Sequence, residues 1–183
     1  MSTLVLLAHP RLAESRVNAA LADAVRDADG VTLHDLYAAY PDLGLDVDRE
    51  QRLLREHDRI VLQFPLYWYS VPPLLKKWLD EVLLYGFAYG TGGTALHGKS
   101  LLVATSVGGP EEVYRSGGPN RFTLAELLRP LEASAHFVGA AYQEPFAVYG
   151  TLDVGDEALA GHARRYRELL APAAEGERSL AAV

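Results

Sequence analysis

Arg59-Ile60-Val61-Leu62-Gln63-Phe64-Pro65, then Leu66-Tyr67-Trp68-Tyr69-Ser70-Val71, then Pro72-Pro73-Leu74-Leu75-Lys76-Lys77-Trp78-Leu79-Asp80-Glu81-Val82-Leu83, is the stretch that decides the fold. The apolar run Arg59 to Phe64 reads as a buried strand, closed by Pro65. Pro72 and Pro73 stand where prolines open a helix at its first turn, because the missing N–H has no helical partner there anyway. Leu74, Leu75, Trp78, Leu79, Val82 and Leu83 recur at three-to-four-residue spacing, with Lys76, Lys77, Asp80 and Glu81 on the opposite side. That is one helix face packing on a sheet.

The same strand-then-helix unit recurs outward. Leu4 to Ala8 is a continuous apolar run, and Ser15 introduces an amphipathic stretch from Val17 to Val25. Val31 to Leu36 alternates as a half-buried strand, Tyr37 to Asp46 reads as a loop, and Val47 to His57 as a polar helix. Beyond a glycine-rich excursion from Tyr85 to Gly98, Ser100 to Ser106 is strand-like and Val107 to Arg121 a long loop. Phe122 to Ala133 predicts a helix bent by Pro130, Phe137 to Tyr142 a fifth strand, and Asp156 to Leu170 a last helix. Five such units argue for an α/β fold of the flavodoxin-like doubly wound kind, a five-stranded parallel sheet with helices on both faces; a barrel needs eight. Residues 1–172 then form one domain, and residues 173–183 a flexible tail.

The 183 residues suit one domain with a sizeable core. Lys+Arg 17 against Asp+Glu 24 gives a net charge of -7, which disfavours nucleic acid as a partner. The absence of cysteine removes disulfides, thiolate nucleophiles and cysteine-based metal sites. The six histidines include no i, i+4 pair, so no metal site is expected. The N-terminal apolar run has no basic leader and is broken by His9-Pro10-Arg11, so it reads as a strand of a cytoplasmic protein.

Ligands of open α/β sheets bind beyond the carboxyl ends of the strands, which selects the loops His9–Arg16, Pro65–Val71 and Val107–Arg121. In the first, Ser15 stands at a helix N-terminus suited to a phosphate, with His9 and Arg16 able to add contacts; a plain helix cap is the alternative. In the second, Tyr67, Trp68 and Tyr69 would be costly to expose without a planar partner, although a core plug or a dimer interface would also account for them. In the third, Gly108 and Gly109 allow close backbone approach, and Tyr114 carries a phenol; a plain turn has the same composition.

Taken in order, these loops resemble the flavodoxin-like NAD(P)H quinone reductases, most closely the KefF-type ancillary flavoproteins of glutathione-gated potassium efflux. The resemblance runs from about Leu4 to Leu170. It is carried by Ala8-His9-Pro10 with Ser15 and Asn18, by Leu36-Tyr37 with Tyr40-Pro41-Asp42, by Phe64 to Lys76, by Gly86 to Gly90, by Gly92 to Lys99, and by Gly108-Gly109. It implies FMN, in preference to FAD, as the cofactor, NADPH or NADH as hydride donor, and a quinone as two-electron acceptor in the same pocket. His9, Ser15 and Asn18 would hold the ribityl phosphate. Pro65, Leu66, Tyr67, Trp68 and Tyr69 would line the ring, and Ser106, Val107, Gly108 and Gly109 its pyrimidine edge. Tyr114 would be the catalytic residue, supporting charge on the reduced ring. The resemblance further implies a homodimer and docking on a potassium efflux protein at the inner membrane face.

Three departures qualify this. The relay histidine that animal relatives carry after that tyrosine is missing from Ser116-Gly117-Gly118-Pro119-Asn120-Arg121. Tyr67 replaces a glutamine of the efflux-type proteins, and Ser106 and Val107 stand near their threonines. The phosphate loop of electron-carrier flavodoxins is absent. Two other functions stay open: a regulatory subunit with secondary reductase activity, and a flavin-less binding module. Gly90-Thr91-Gly92-Gly93-Thr94-Ala95 matches a dinucleotide fingerprint by letter, but no strand precedes it directly and a strand, not a helix, follows. Ser100 opens a strand, whereas a nucleophile-elbow serine would follow one, which argues against a serine hydrolase. Asp42, Asp46 and Asp48 lack calcium-loop spacing and read as a solvated turn.

Overall fold

The computed structural model describes residues 1–171. The expected tail, residues 173–183, lies outside the described residues. Strands β1 (Thr3–Leu7), β2 (Val31–Asp35), β3 (Arg59–Pro65), β4 (Ser100–Ser106), β5 (Ala141–Tyr142) and β6 (Phe146–Val148) form one sheet. Its order is β2-β1-β3-β4-β5, with β6 also on β4 and every pairing parallel. The helices are α1 (Arg16–Val25), α2 (Leu36–Ala39), α3 (Val47–Glu56), α4 (Pro73–Val82), α5 (Leu124–Phe137) and α6 (Asp156–Leu170).

Side-chain alternation divides the core into two layers. Leu4, Leu6, Ile60, Leu62 and Phe64 point to one face and pack with Leu54 of α3, Leu74 and Trp78 of α4 and Leu128 of α5. Val5, Val61, Leu102 and Ala104 point to the other, against Val17, Leu21 and Val25 of α1 and Leu159 and Tyr166 of α6. The expected doubly wound architecture is observed. No helix among the described residues is long and apolar enough to cross a membrane.

Three local expectations are corrected. The expected loop from Tyr37 begins inside α2, because the Asp35 carboxylate accepts from the amides of Tyr37 (3.0 Å) and Ala38 (3.1 Å). The helix expected over Phe122–Ala133 runs over Leu124–Phe137, started by a reciprocal cap between Thr123 and Glu126. Phe137 therefore closes α5 and does not open a strand. Gly139, at φ 75°, turns the chain, and the Ala140 amide returns to the Ala135 carbonyl. The fifth strand is in fact two pieces along one edge of β4. Leu101 pairs with Tyr142 and Ala104 with Phe146, so β4 advances three residues while the edge advances four. The extra residue bulges at Gln143-Glu144-Pro145, where Pro145 has no N–H to give the ladder. An apolar run split by Gln143-Glu144-Pro145 hid β6 from periodicity.

Candidate active site

The carboxyl ends of β1, β3 and β4 open onto a trough. At one end, β1 leads into His9, and a 3₁₀ turn, Leu12–Glu14, delivers Ser15 to the start of α1. Ser15 Oγ accepts from the Asn18 amide at 3.2 Å, so Ser15 does cap the helix. The Arg16 and Val17 amides, first in the helix, have no intrahelical partner and border a cavity of about 400 Å³. His9, Arg11, Ser15, Pro65, Tyr67 and Ser106 line it. His9 Nδ1 accepts from the Arg11 amide at 3.1 Å, which leaves Nε2 as the hydrogen-bearing atom of the neutral ring. Burial, then the Arg11 charge, holds His9 below the usual imidazole range. His9 is thus a neutral donor at pH 7.

Asn18 sits behind this cavity, buried, its Nδ2 donating to Ser106 Oγ at 2.8 Å and its backbone carbonyl accepting from Gln63 at 2.9 Å. It ties α1 to the ends of β3 and β4. Its Oδ1 has no protein partner. Arg16 does not reach into the cavity with its charge: the guanidinium bonds the Val154 carbonyl (3.0 Å) and Asp156 Oδ1 (2.6 Å).

The middle wall follows Pro65. Leu66 donates to the Ser106 carbonyl at 2.9 Å, and Tyr67 and Ser70 exchange backbone bonds of 3.0 and 2.9 Å across a two-residue turn. Its central residues, Trp68 (φ 49°) and Tyr69 (φ 63°), both occupy the left-handed region, where hairpin turns normally place Asn and Gly. Each L side chain there costs about 1–2 kcal/mol. Strain of that size, with Trp68 left 94% exposed, is retained where geometry serves a site.

At the far end, a wider cavity of about 740 Å³ is lined by Arg11, Leu66, Tyr67, Trp68, Tyr69, Gly108, Gly109 and Tyr114, with Val113, Pro119 and Asn120 also on its wall. It shares Arg11 and Tyr67 with the first cavity, so the two adjoin. A Cβ on Gly108 would meet nothing within 4 Å, whereas one on Gly109 would come 3.3 Å from the Tyr114 ring. Gly108 is an open backbone face, and Gly109 is where the phenol rests. Tyr114 also packs at 5.9 Å against Tyr149. Val107 is fully buried in the core, its amide bonded to Val148, so its side chain stays out of the trough.

Asn120 occupies the stretch without a relay histidine, its Oδ1 accepting from the Tyr69 hydroxyl at 3.4 Å. Sequence reading missed the segment after β6: Tyr149 behind Tyr114, and Thr151 and Leu152 on the phosphate-like cavity. Gly150, at φ 61° after an apolar run, was the available signal.

Residues 1–170 match the Flavodoxin_2 family, described as having a flavodoxin-like fold. The chain belongs to that family. As a Flavodoxin_2 member it is 50% identical to an uncharacterized NAD(P)H oxidoreductase, YdeQ, of Bacillus subtilis (strain 168), over 91% of this chain and 84% of the relative. It is 46% identical to the potassium-efflux ancillary protein KefG of Yersinia enterocolitica, over 94% and 95%. Among solved structures, general stress protein 14 of Treponema denticola in complex with FMN is 44% identical with a TM-score of 0.89, over 92% and 97%. An NADPH-quinone reductase of P. pentosaceus is 37% identical with a TM-score of 0.85, over 92% and 97%. A chain titled thermophilic tryptophan halogenase, from Streptomycin violaceusniger, is 56% identical with a TM-score of 0.90, over 92% and 99%.

Proposed function

We propose that this chain is an FMN-dependent NAD(P)H:quinone oxidoreductase. The observation that carries the reading is the pair of adjoining cavities, one bordered by free helix amides and the other by aromatic rings and glycine backbone. The residues present fit FMN. The buried Asn18 Oδ1 lacks a protein partner, and Gly108 leaves a face that any Cβ would begin to fill. The Arg16 and Val17 amides, Ser15 Oγ and His9 Nε2 would hold the phosphate, and Tyr67, Trp68 and Tyr69 the ring. Bound FMN supplies two-electron chemistry between a nicotinamide and an acceptor. The rigid turn at Trp68 and Tyr69 fixes its backbone amides before any ligand arrives, which lowers the ordering cost of binding. Tyr114, held between Gly109 and Tyr149, presents a hydroxyl donor on the wall of the wide cavity, where it would stabilise negative charge.

The names of similar chains differ in what is acted on, so the acceptor is read from the trough. Its wide end is bordered by aromatic edges and open backbone, and Arg11 is the one cation among its lining residues. That suits a planar, largely neutral acceptor such as a quinone.

The KefG relatives favour a second reading, an ancillary subunit that docks on a potassium efflux protein, and the two roles are compatible. We also place a second copy of the chain over the apolar groove of about 350 Å³ between α4 and α5, lined in part by Leu79, Leu83, Leu127 and Leu131. Phe137 (69% exposed) lines it and Tyr85 (65%) packs on its lining residue Tyr89, a concentration of exposed apolar surface that supports an interface there. Phe137→Glu is expected to shift the sedimenting species from dimer to monomer; a wild-type monomer would remove the dimer.

A visible spectrum tests the function. The purified protein is expected to show a flavin band that bleaches with NADPH in the absence of air and returns with a quinone. A colourless protein that takes up no added FMN overturns the reading. Tyr114→Phe is expected to slow flavin reduction roughly ten- to a hundredfold with FMN retention unchanged, and an unaltered stopped-flow rate would remove Tyr114 from the chemistry.

A further inference from the structure

Between β6 and α6 the chain makes a compact strap, Tyr149 to Gly155. Its near end is pinned to the loop after β4, with Gly150 donating to the Gly109 carbonyl (2.9 Å) and Thr151 to the Val107 carbonyl (3.3 Å). It folds on itself, the Asp153 and Val154 amides both reaching the Gly150 carbonyl at 3.0 Å. Thr151 and Leu152 wall the phosphate-like cavity; Tyr149 and Val154 pack on the core at the two ends of the strap, whereas Leu152 at its middle is 85% exposed, so packing holds the ends and not the middle. Its far end is held from across the cavity by Arg16, through the Val154 carbonyl and Asp156.

Arg16 is the first residue of α1 and Asp156 the first of α6. A cation at a helix N-terminus opposes the helix dipole, and Arg16 lies against two such ends. What compensates it is the Asp156 carboxylate and the strap carbonyl. The same pairing offsets the charge of the solvent-exposed Asp156 carboxylate.

We propose that Arg16 is a positioning residue, a latch that holds the Tyr149–Gly155 strap over the cavity and so sets how fast a phosphate-bearing ligand enters and leaves. The proposal rests on the FMN reading above and departs from the simpler assignment of Arg16 as a phosphate ligand. The two roles differ in the sign of one effect. If Arg16 latches the strap, removing its partner Asp156 frees the strap and speeds ligand release. If Arg16 binds phosphate, removing Asp156 releases the guanidinium to the ligand and slows release.

The test is stopped-flow fluorescence of FMN exchange on Arg16→Met and Asp156→Asn, with Glu157→Gln as the control for a lost charge in the same helical turn. Both variants are expected to release FMN roughly two- to fivefold faster, the scale a solvent-exposed ion pair supports, while the control stays at the wild-type rate. Slower release from Asp156→Asn, or no change in either variant, overturns the latch. A second arm needs no flavin: hydrogen exchange of the Gly150–Val154 amides in the FMN-free protein is expected to quicken in Arg16→Met and not in the control. Unchanged exchange overturns the latch as well. A wild-type protein that binds no FMN defeats the cofactor reading, and this second arm then decides the latch alone.

Discussion

Ser15→Asp is expected to weaken FMN binding by at least about a hundredfold while leaving the fold intact. Aspartate caps helices as well as serine does, so the bond from the Asn18 amide to residue 15 has an equivalent acceptor. A negative charge at the start of α1 also agrees with the helix dipole. Stability is therefore expected to stay within about 1 kcal/mol of wild type. The new carboxylate, however, borders the cavity where the phosphate would sit. Two unit charges about 4 Å apart repel by about 4 kcal/mol at the effective dielectric of a protein surface, and each 1.4 kcal/mol is roughly tenfold in affinity. Riboflavin, which lacks the phosphate, is expected to bind the variant and wild type within about threefold. Ser15→Gly separates the cap from the hydroxyl, because glycine costs a cap only a few tenths of a kcal/mol. Titration of FMN and riboflavin against all three proteins decides the matter. An FMN affinity for Ser15→Asp within threefold of wild type would leave Ser15 as a helix cap alone.

The sheet was legible because its central strands are buried on both faces and read as unbroken apolar runs, as Leu4 to Ala8 and Arg59 to Phe64 do. The trough was legible as three loops for a related reason: an open parallel sheet leaves only its carboxyl ends free, and the residues there that cannot serve packing stand out. Trp68 and Tyr69 are large, apolar and next to prolines, and in the structure they occupy a strained turn. What stayed hidden depends on contacts distant in sequence. Arg16 could be seen near a helix start, but its partners lie 138 and 140 positions away. Asn18 looked like a ligand-facing residue, and only the fold puts Ser106 against it and buries it. Tyr149 gave no pattern of its own, since the strand it follows is three residues long and comes after a bulge. Glu50 was hidden too: nothing in the polar helix from Val47 to His57 sets it apart, whereas it is the most enclosed charge among the described residues.

That carboxylate carries the largest expected loss of stability. Glu50 is fully buried, with Oε1 accepting from His34 Nε2 (2.8 Å) and the Tyr40 hydroxyl (2.6 Å), and Oε2 from Trp78 Nε1 (2.8 Å). The four side chains come from β2, the end of α2, α3 and α4, so one carboxylate joins one edge of the sheet to the helix that follows the Tyr67–Ser70 turn. Glu50→Ala strands three buried donors and opens a void, which is expected to cost about 3–5 kcal/mol in urea unfolding. Glu50→Gln keeps the volume but sets an amide N–H against a donor, at about 1–3 kcal/mol. A loss below about 1 kcal/mol for the alanine variant would mean that solvent or repacking satisfies the donors. The pH dependence follows from the same contacts. Burial alone would raise the Glu50 carboxyl, but the bonds from His34, Tyr40 and Trp78 outweigh it and hold it below the usual range. The unfolded chain therefore takes up the proton first, so this stabilisation is complete above the ordinary carboxyl range and fades as pH falls through the folded value. Wild type is expected to lose stability below about pH 4.5 more steeply than Glu50→Gln, the ordinary glutamate range being the upper edge of the window. Tyr40 adds an alkaline limb. Burial first, then its bond to Glu50, pushes its phenol up to about 12, so its share of stability is lost between the ordinary value of 10.0 and that point. In Glu50→Gln the phenol is expected to ionise at a lower pH while staying above the ordinary value, because burial remains; the difference titration against Tyr40→Phe reads it. A phenol that titrates identically in the presence and absence of the Glu50 charge would break the link between the two.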